Sequence, residues 1–503
     1  MIKTVSDYLE ITCRKFPDKA AIADNKSSLT FMQLRNDARK ISAAFIGRGL
    51  FKKPIAIYME KSPQCFAAML SVSYSGNFYT VLDTHMPAAR IEKILNTLEP
   101  ELIITDKRNI NAANDICRRC EVILYEDALD SQFSPDLCDE IRDKIVDTDV
   151  MFVLFTSGST GTPKGVVLPH KAVIAYVEWG AEKFKIDSDT IFANQAPFYF
   201  ILSAFELFQT IKNGAMVRIF PASTFSFPVV LLSALKEAHV NTLVWVPSAL
   251  CMPANYNALS ELHLDELKLV IFGGEVMPCK QLNCWRREYP KVTFVNQYGP
   301  TELTDITTYY FVDREFADNE TLPIGKPAEH MNVFLIKDNG EEAEEGEIGE
   351  LYSRGPSLTY GYYKDPERTA EVFVQNPLNK DYPEMVYKTG DLVYFNDRAE
   401  LIFVGRKDFQ IKHMGNRIEL GEIEANISSI DGIERNCCLY DTKRSRIVMF
   451  YTGIAEEDGL KDIIGNLLPP YMVPSLISHL DEMPLNLNGK IDRAALKIKI
   501  EEL

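Results

Sequence analysis

The sequence predicts an α/β protein: a large N-terminal domain of mostly parallel sheets covered by helices, with a small β-barrel-like part, and a small, mobile α+β C-terminal domain. Two observations lead to this prediction. Short apolar runs such as PIAIYME, ELIITD, NTLVWVP and LKLVIFGG alternate with amphipathic stretches, as expected for buried parallel strands between helices. The chain, at 503 residues, is also too long for one compact core.

The pattern changes twice along the chain. From about residue 310 to 405, closely spaced strands and turns follow one another, as in GEIGELYSRG and DLVYFNDRAELIFVG, where NDRAE is typical of a hairpin loop. Further on, strands such as RIVMFYTG alternate with helical segments such as EIEANISSI. We therefore predict an N-terminal domain over residues 1–405, β-rich at about 310–405, and a C-terminal domain over residues 406–503.

Charge and hydropathy argue against several kinds of partner. The chain carries 54 Lys and Arg against 71 Asp and Glu, so we expect no binding to nucleic acid, which needs clustered positive charge. No apolar run reaches the roughly 18 residues of a membrane span, and the start lacks the apolar core of a signal peptide. The prediction is a cytoplasmic protein with reduced cysteines, in which Cys117 and Cys120 are two ordinary thiols on a helix.

The densest chemical signal is TSGSTGTPKG, which follows the apolar run from Met151 to Phe155. Glycines let the backbone approach phosphate oxygens, hydroxyls donate hydrogen bonds to them, and a lysine adds positive charge. The spacing matches neither GxxxxGK[ST] nor GxGxxG, which disfavours an ordinary kinase, GTPase or dinucleotide site. A flexible linker is the alternative at this point. The candidate phosphate-binding residues are Thr156, Ser157, Gly158, Ser159, Thr160, Gly161 and Lys164.

Five short segments occur in order along nearly the whole chain. They are LFTSGSTGTPKG at 154–165, NQYGPTE at 296–302, YKTGD at 387–391, GRKDFQIK at 405–412 and NGK at 488–490. In these segments the chain resembles the adenylate-forming superfamily of acyl-CoA synthetases, luciferases and nonribosomal peptide adenylation domains. With NQAPF at 194–198 and FGGEVMP at 272–278, it looks most like stand-alone ligases that charge a separate carrier protein, such as D-alanine carrier-protein ligases.

The resemblance implies a two-step reaction that uses ATP and Mg²⁺. A carboxylic acid would be activated as an acyl-AMP with release of pyrophosphate, and the acyl group would then pass to the phosphopantetheine thiol of a separate carrier protein. An acyl-CoA synthetase is the main alternative, although QIK at 410–412 and RIELGEIE at 417–424 favour the carrier-loading branch. A luciferase-like oxidation stays open. A binding-only descendant would be expected to lose Lys490, Glu302 or the phosphate loop, and the chain keeps all three.

The resemblance also implies roles for individual residues. Lys490 is the principal catalytic candidate, because a cation that reaches both the carboxylate and the α-phosphate would stabilise the charge that builds during adenylation. Glu302 would bind Mg²⁺, and Asp391 would accept hydrogen bonds from both ribose hydroxyls. The other implied positions are Thr156 and Thr301 at the phosphates, Gly274, Glu275, Asn296, Tyr298 (stacked on adenine) and Arg406 at the nucleotide, Asp408 as the hinge, and Gly415, otherwise a turn glycine, in the thiol channel.

One position departs from the family pattern. Domains that select α-amino acids usually carry Asp where this chain has Ile201, and isoleucine cannot pair with an ammonium group. We therefore expect an aryl, hydroxy, aliphatic or β-amino acid as substrate, with an α-amino acid as the alternative. Asp305 would receive a distal amine or hydroxyl, or else face water or cap a turn. The predicted pocket residues are Phe198, Ile201, Leu202, Phe205, Trp245, Ile271, Gly273, Gln297, Asp305 and Ile306.

Overall fold

The computed structural model describes residues 2–117, 119–158, 161–485 and 491–502, except for the side chain of Glu502. Packing divides the chain into two compact units, each assembled from three stretches. The predicted domains are two continuous stretches that meet between residues 405 and 406, and this boundary stays a prediction. Unit 1 comprises Met1–Thr84, Leu98–Leu154 and Gly165–Lys407, and unit 2 comprises His85–Thr97, Phe155–Lys164 and Asp408–Leu503.

Several helices begin where a side chain accepts a hydrogen bond from one of the first backbone N–H groups. Thr30 and Gln33, for example, form a reciprocal capping box at the start of the helix Phe31–Ile46. Short 3₁₀ turns cover Ala222–Ser226, Ala258–Ser260, Thr301–Leu303 and Pro470–Met472. The α-helices are α1 Val5–Lys15, α2 Phe31–Ile46, α3 Pro63–Tyr74, α4 Ala88–Leu98, α5 Ile110–Ile116, α6 Tyr125–Leu129, α7 Pro135–Asp143, α8 His170–Phe184, α9 Leu202–Asn213, α10 Pro228–Glu237, α11 Pro247–Asn255, α12 Cys279–Glu288, α13 Pro366–Val372, α14 Leu420–Ile427, α15 Leu460–Leu467 and α16 Arg493–Glu502.

Most strands are short, apolar and buried, as the sequence predicts. They are β1 Ala20–Ala23, β2 Ser28–Thr30, β3 Pro54–Tyr58, β4 Phe78–Leu82, β5 Leu102–Thr105, β6 Glu121–Leu124, β7 Val150–Thr156, β8 Lys164–Pro169, β9 Ile191–Asn194, β10 Met216–Ile219, β11 Thr242–Trp245, β12 Leu269–Gly273, β13 Thr293–Tyr298, β14 Thr308–Phe311, β15 Lys326–Pro327, β16 Asn332–Ile336, β17 Gly349–Arg354, β18 Phe373–Gln375, β19 Met385–Phe395, β20 Leu401–Arg406, β21 Gln410–His413, β22 Asn416–Glu419, β23 Ile433–Asp441, β24 Arg446–Gly453 and β25 Leu476–His479.

Two largely parallel sheets form the framework of unit 1. One has nine strands in the order β15-β14-β13-β12-β11-β9-β10-β1-β2, in which the strands from β13 to β1 run parallel. The other has the order β6-β5-β3-β4-β7-β8, with β6 through β7 parallel. Helices including α3, α8 and α9 pack with both sheets into one large apolar core. This arrangement confirms the predicted α/β class.

A smaller antiparallel sheet completes unit 1. It has the order β16-β17-β19-β18, and β20 also pairs with β19. The predicted NDRAE loop joins β19 to β20, which run antiparallel with Phe395 opposite Leu401. This sheet begins at Asn332 rather than near residue 310, because β14 and β15 extend the nine-stranded sheet instead.

The last stretch of unit 2 contains a hairpin, β21–β22, and a three-stranded sheet in the order β23-β24-β25. Residues from α14, α15 and this sheet share a separate apolar core, represented by Ile423, Met449 and Ile464. A second small cluster, which includes Phe450, receives Leu496 from α16. The predicted α+β character of this segment is confirmed.

One expectation about the cysteines is wrong. Helix α5 ends at Ile116, and Cys117 and Cys120 form a disulfide in the short loop that follows it. The loop brings their Cα atoms to 6.0 Å, a separation that a disulfide can bridge. Cysteines at the other positions carry free thiols. Among the described residues, no helix combines the length and apolar character that crossing a membrane requires.

Candidate active site

Several predicted site residues meet at the carboxyl edge of the nine-stranded sheet. The parallel strands β9, β12 and β13 end there at Asn194, Gly273 and Tyr298. Gly273 lies beside Gln297 in the β12–β13 pair. In α/β sheets, ligands bind in the crevice outside the carboxyl ends of the strands. The motif residues gathered at this edge are Gly273, Gly274, Glu275, Asn296, Gln297 and Tyr298.

Three of the edge residues also shape the local backbone. Gly274 has a φ of 87°, a left-handed conformation that favours glycine. The Glu275 carboxylate accepts a hydrogen bond from the Ser248 N–H near the start of α11, at 2.8 Å. Asn296 is buried and donates its amide to the carbonyl of Pro323 at 2.8 Å. Glu275 and Asn296 therefore lie at the edge and also bind the neighbouring segments that contain Ser248 and Pro323.

Tyr298, Asp391 and Arg406 come together at the junction of the nine-stranded sheet with the antiparallel sheet. Asp391 and Arg406 face each other across β19 and β20, and the guanidinium donates to Asp391 Oδ1 at 2.6 Å. The Tyr298 hydroxyl donates to Asp391 Oδ2. Burial and the neighbouring carboxylate raise the pKa of Tyr298 well above its ordinary value, so the phenol stays protonated. A buried, charge-assisted network thus fixes the Asp391 carboxylate.

Glu302 lies in the 3₁₀ turn that directly follows this edge. Its side chain is fully buried, and one carboxylate oxygen accepts a hydrogen bond from the Tyr362 hydroxyl at 2.7 Å. The Glu302 carbonyl also accepts from the Thr359 N–H at 3.1 Å. Thr301 precedes it in the same turn. Tyr362 did not emerge from the sequence, because nothing in its local pattern distinguishes it from other buried tyrosines.

The apolar residues predicted for the acid pocket come from α9 and the strands it covers. Ile201 immediately precedes α9, and Phe205 lies one turn inside it. Ile271 belongs to β12, and its side chain alternates with Phe272 between the two faces of the sheet. The predicted residues that share this core are Phe198, Ile201, Leu202, Phe205, Ile271 and Ile306.

Trp245 is the exception, and the prediction for it is corrected. Its side chain lies in the core on the opposite face of the sheet, edge-on to Phe225, and its indole N–H donates to the Ala193 carbonyl at 2.7 Å. Side chains alternate along a strand, so the next residue, Val246, belongs to the core that contains Ile271. The structure therefore does not bring Trp245 to the wall formed by Ile271 and the α9 residues.

The polar end of the predicted pocket is a network of three residues. Tyr176 on α8 is fully buried, and its hydroxyl donates to Asp305 Oδ2 at 3.0 Å. Gln297 Nε2 donates to the Tyr176 hydroxyl at 2.8 Å and to Asp305 Oδ2 at 3.1 Å. The Tyr176 ring lies 5.3 Å from the ring of Phe205, centroid to centroid. Tyr176 was missed because an aromatic residue on a buried helix face usually indicates core packing.

A second buried polar group lies on α9, next to Phe205. The Glu206 side chain is fully buried and accepts a hydrogen bond from the Asn194 amide at 2.7 Å. Lys61 donates to the Asn194 side-chain oxygen at 3.1 Å and to the Gln195 carbonyl at 3.0 Å. Burial raises the pKa of Glu206 to about 8, so the carboxyl is mostly protonated at neutral pH. Sequence patterns gave no sign of this group.

The described part of the phosphate loop packs within unit 2. Ser157 Oγ donates to the Arg417 carbonyl at 2.6 Å and accepts from the Glu419 N–H at 3.1 Å. The Gly158 N–H donates to Glu422 Oε2 at 3.1 Å. Glu422 is fully buried on α14 and also pairs with Arg90. In this arrangement the Gly158 N–H, which the sequence assigns to phosphate, therefore donates to the Glu422 carboxylate.

The other end of the loop is held by α4 and α14. Gly161 has a φ of 79°, and a Cβ at this position would lie 3.1 Å from the Ala425 Cβ. Lys93 donates to the Gly161 carbonyl at 3.0 Å and to Asn426 Oδ1 at 2.8 Å. The Thr156 hydroxyl is buried without a hydrogen-bond partner among the described residues. Lys164 begins β8. Three predicted site residues, Ser159, Thr160 and Lys490, lie outside the described residues.

The predicted hinge and thiol-channel positions lie close together in the chain. Asp408 begins the last stretch of unit 2, and its carboxylate accepts the Gln410 N–H at 3.2 Å. Met414 and Gly415, with φ of 50° and 76°, form the two-residue turn of the β21–β22 hairpin. Two consecutive positive φ values are typical of the turns that favour glycine. The structure thus accounts for Gly415 as a turn residue, and its channel role stays a prediction.

Comparison with known proteins adds to this geometry. Residues 9–363 match the family described as AMP-binding enzyme, which covers more than half of the chain. The chain belongs to this family. The matched range contains the phosphate loop and the edge residues from Asn194 to Glu302. The AMP-binding family membership therefore agrees with the resemblance seen in the five sequence segments.

Relatives of similar length include two ligases. The chain is 34% identical over 469 residues to an L-proline–[L-prolyl-carrier protein] ligase of Streptomyces coelicolor, with 87% of this chain and 86% of that protein covered. It is 29% identical to a D-alanine–D-alanyl carrier protein ligase of Bacillus licheniformis, with 99% of each covered. By contrast, the chain spans only 8% of tyrocidine synthase 3 from Brevibacillus parabrevis, to which it is 28% identical.

The fold also matches solved structures. An NRPS protein with adenylation and PCP domains, bound to a vinylsulfonamide inhibitor, superposes with a TM-score of 0.84 at 24% identity. The match covers 99% of this chain and 84% of that one. This likeness concerns the fold alone, and it supports the assignment of the AMP-binding chain to the adenylation-domain architecture.

Proposed function

We propose that this AMP-binding enzyme is an ATP-dependent, AMP-forming ligase that activates a small carboxylic acid and passes it to the phosphopantetheine thiol of a separate carrier protein. The observation that carries the proposal is the buried Tyr298–Asp391–Arg406 network at the carboxyl edge of the sheet. Asp391 accepts one hydrogen bond from each neighbour, and a carboxylate has about four lone-pair sites. It can therefore also accept both hydroxyls of a ribose.

The remaining chemistry follows from charge. An oxygen of the acid bonds to the α-phosphorus while the bond from that phosphorus to the pyrophosphate oxygen breaks, so negative charge needs stabilising. Glu302 fits a Mg²⁺ ligand, since a buried carboxylate offers a hard oxygen, and the ion would neutralise phosphate charge. Thr156 offers a buried hydroxyl with no partner among the described residues, as a phosphate donor would. We assign Lys490 to the reacting carboxylate and α-phosphate.

The acceptor and the acid are narrower parts of the proposal. The names of two relatives, both carrier-protein ligases, favour a carrier protein over CoA. Those names also specify amino acids, which makes an α-amino acid the second candidate substrate. Against it stands Ile201, buried at the start of α9, because burying an unpaired ammonium group beside it would be costly. We therefore propose an acid without an α-amino group.

The test is acid-dependent exchange of pyrophosphate into ATP, with Mg²⁺ and a panel of aryl, hydroxy, aliphatic, β-amino and α-amino acids. We expect exchange with an acid that lacks an α-amino group, and we expect Ile201→Asp to shift the preference toward α-amino acids. Loading of a holo-carrier protein against CoA then separates the two acceptors. Absence of exchange with every acid would refute the proposed adenylation, whereas a wild-type preference for an α-amino acid would refute only the substrate argument.

A further inference from the structure

The Gln297 side chain presents a buried acceptor oxygen that receives no hydrogen bond from the residues that the structure describes. Gln297 is only 3% exposed, and its Nε2 faces three acceptors: the Tyr176 hydroxyl, the Asp305 carbonyl and Asp305 Oδ2. The opposite amide orientation would turn the oxygen toward the Asp305 carbonyl and carboxylate, so these partners fix which end is which. Gln297 Oε1 consequently points away from them and has no partner among the described residues.

The surroundings of Gln297 suit a ligand rather than a packed side chain. Its strand neighbour is Gly273, where a Cβ would lie 2.4 Å from the Gln297 carbonyl oxygen, so only glycine fits here and residue 273 places no side chain beside Gln297. Ile271 and Phe205, which share a core with Tyr176, are apolar and supply no donor. Buried polar atoms in folded proteins are nearly always paired, with protein, water or ligand. An unpaired oxygen at the edge where ligands bind therefore indicates a missing donor.

We propose that Gln297 Oε1 accepts a hydrogen bond from the substrate acid, and that Tyr176 is the positioning residue that directs it. This inference rests on the proposed function. The reacting carboxylate has only acceptor atoms when ionised, so the donor belongs to the rest of the molecule. The substrate class is thus a carboxylic acid that carries a hydroxyl or an amino group on its side chain. The Asp305 carboxylate beside Gln297 adds a negative field that favours either donor.

Tyr176 orients Gln297 and Asp305 because its hydroxyl is both a hydrogen-bond donor and a hydrogen-bond acceptor. It donates its hydrogen to Asp305 and accepts from Gln297, so it holds the carboxylate and the amide in one geometry. Burial raises its pKa well above the ordinary value, which keeps that hydrogen in place at neutral pH. Removing the hydroxyl would take away one of the three acceptors of Gln297 Nε2 and the hydrogen bond that holds the Asp305 carboxylate, so both groups would be less firmly oriented. The ring of Tyr176 would still pack against Phe205.

The experiment compares pyrophosphate exchange for matched acids: hydroxybenzoates and aminobenzoates against benzoate, and β-hydroxybutyrate and β-alanine against butyrate. In wild type we expect kcat/KM to be at least about tenfold higher for a donor-bearing acid than for its matched acid. The hydroxy and amino arms distinguish the two donors. Gln297→Met should abolish the preference for donor-bearing acids, and Tyr176→Phe should lower the ratio about three- to tenfold.

Tyr309→Phe is the matched control. Tyr309 is equally buried and lies opposite Gln297 in the β13–β14 pair, but its hydroxyl donates to Glu329 instead. It should keep the wild-type ratio. A preference for donor-free acids, or an unchanged ratio in Gln297→Met, would overturn the inference while adenylation stands. Absence of exchange with every acid would instead overturn the proposed function, and the inference with it.

Discussion

Glu206 provides a prediction whose size can be worked out from its surroundings. The residue is fully buried, and burial raises its pKa from 4.5 to about 8. Its oxygens have one hydrogen-bond donor, the Asn194 amide, among the described residues. The folded protein therefore holds a proton on Glu206 at neutral pH, whereas the unfolded chain releases it. Replacing Glu206 with Gln keeps the shape and removes the titration.

The sign and the magnitude follow from proton linkage. Because the folded pKa is the higher one, the folded state binds more protons between pH 4.5 and 8, and stability falls as pH rises through that range. One pKa unit corresponds to about 1.4 kcal/mol, and two units separate pH 6 from the folded pKa. Because of Glu206, the unfolding free energy of wild type should fall by about 3 kcal/mol between pH 6 and pH 9. Glu206→Gln should not show this loss.

Urea unfolding followed by tryptophan fluorescence measures this difference. All three tryptophans, Trp179, Trp245 and Trp285, lie in unit 1 with Glu206, so the signal reports the relevant part of the chain. Burial lowers the pKa of Lys61 to about 8, and because Lys61 and Glu206 interact, the difference between the two proteins reports the coupled titration of this pair. Equal pH dependence in wild type and Glu206→Gln would refute the assignment of a buried, neutral carboxyl.

A control variant is available on the adjacent helix α8. Glu178 accepts hydrogen bonds from Lys212 and Tyr8. Burial raises the pKa of Glu178, but these two hydrogen bonds outweigh burial and bring it below its ordinary value. The group is consequently ionised in both states from pH 6 to pH 9. Glu178→Gln should therefore leave the pH dependence of unfolding unchanged over that range.

One further prediction concerns the reaction, and another concerns the packing of the phosphate loop. Lys490→Ala should sharply reduce adenylate formation while sparing transfer from supplied acyl-AMP, because the lysine charge is needed only while the α-phosphate is attacked. Rapid-quench assays measure the two half-reactions separately. Equal loss of both would contradict the role assigned to Lys490. Glu422→Gln should weaken the pairing with buried Arg90 and the contact with the Gly158 N–H. Amide hydrogen exchange at residues 155–158 should therefore accelerate by roughly tenfold. Unchanged protection of these amides would contradict the packing of Gly158 against Glu422.

The parts of the site that lie in continuous motifs could be predicted from sequence. Asp391, Arg406 and Tyr298 belong to distant segments, yet the structure brings all three into one network. Tyr176 and Glu206 could not be found in this way. Each lies on a helix among apolar neighbours, and only the tertiary packing of α8 and α9 against the strands shows that their polar atoms meet Asp305 and Asn194.

Trp245 shows how finely strand geometry limits such predictions. The motif spacing located the correct strand, but alternate residues face opposite sides of a sheet, so an error of one position sends a side chain into a different core. Cys117 and Cys120 show a similar limit at a helix end. Their spacing fits an extra helical turn, whereas the helix stops at Ile116 and the following loop allows the disulfide.

The three-stretch composition of unit 2 limits how its parts can be grafted between relatives. A graft that begins at Asp408 would bring the buried Glu422 without Arg90, and Asn426 without Lys93, because those partners lie more than three hundred residues earlier. A buried carboxylate that loses its cation costs several kcal/mol. A functional chimera should therefore exchange His85–Thr97 and Phe155–Lys164 together with the C-terminal stretch, as one inherited set.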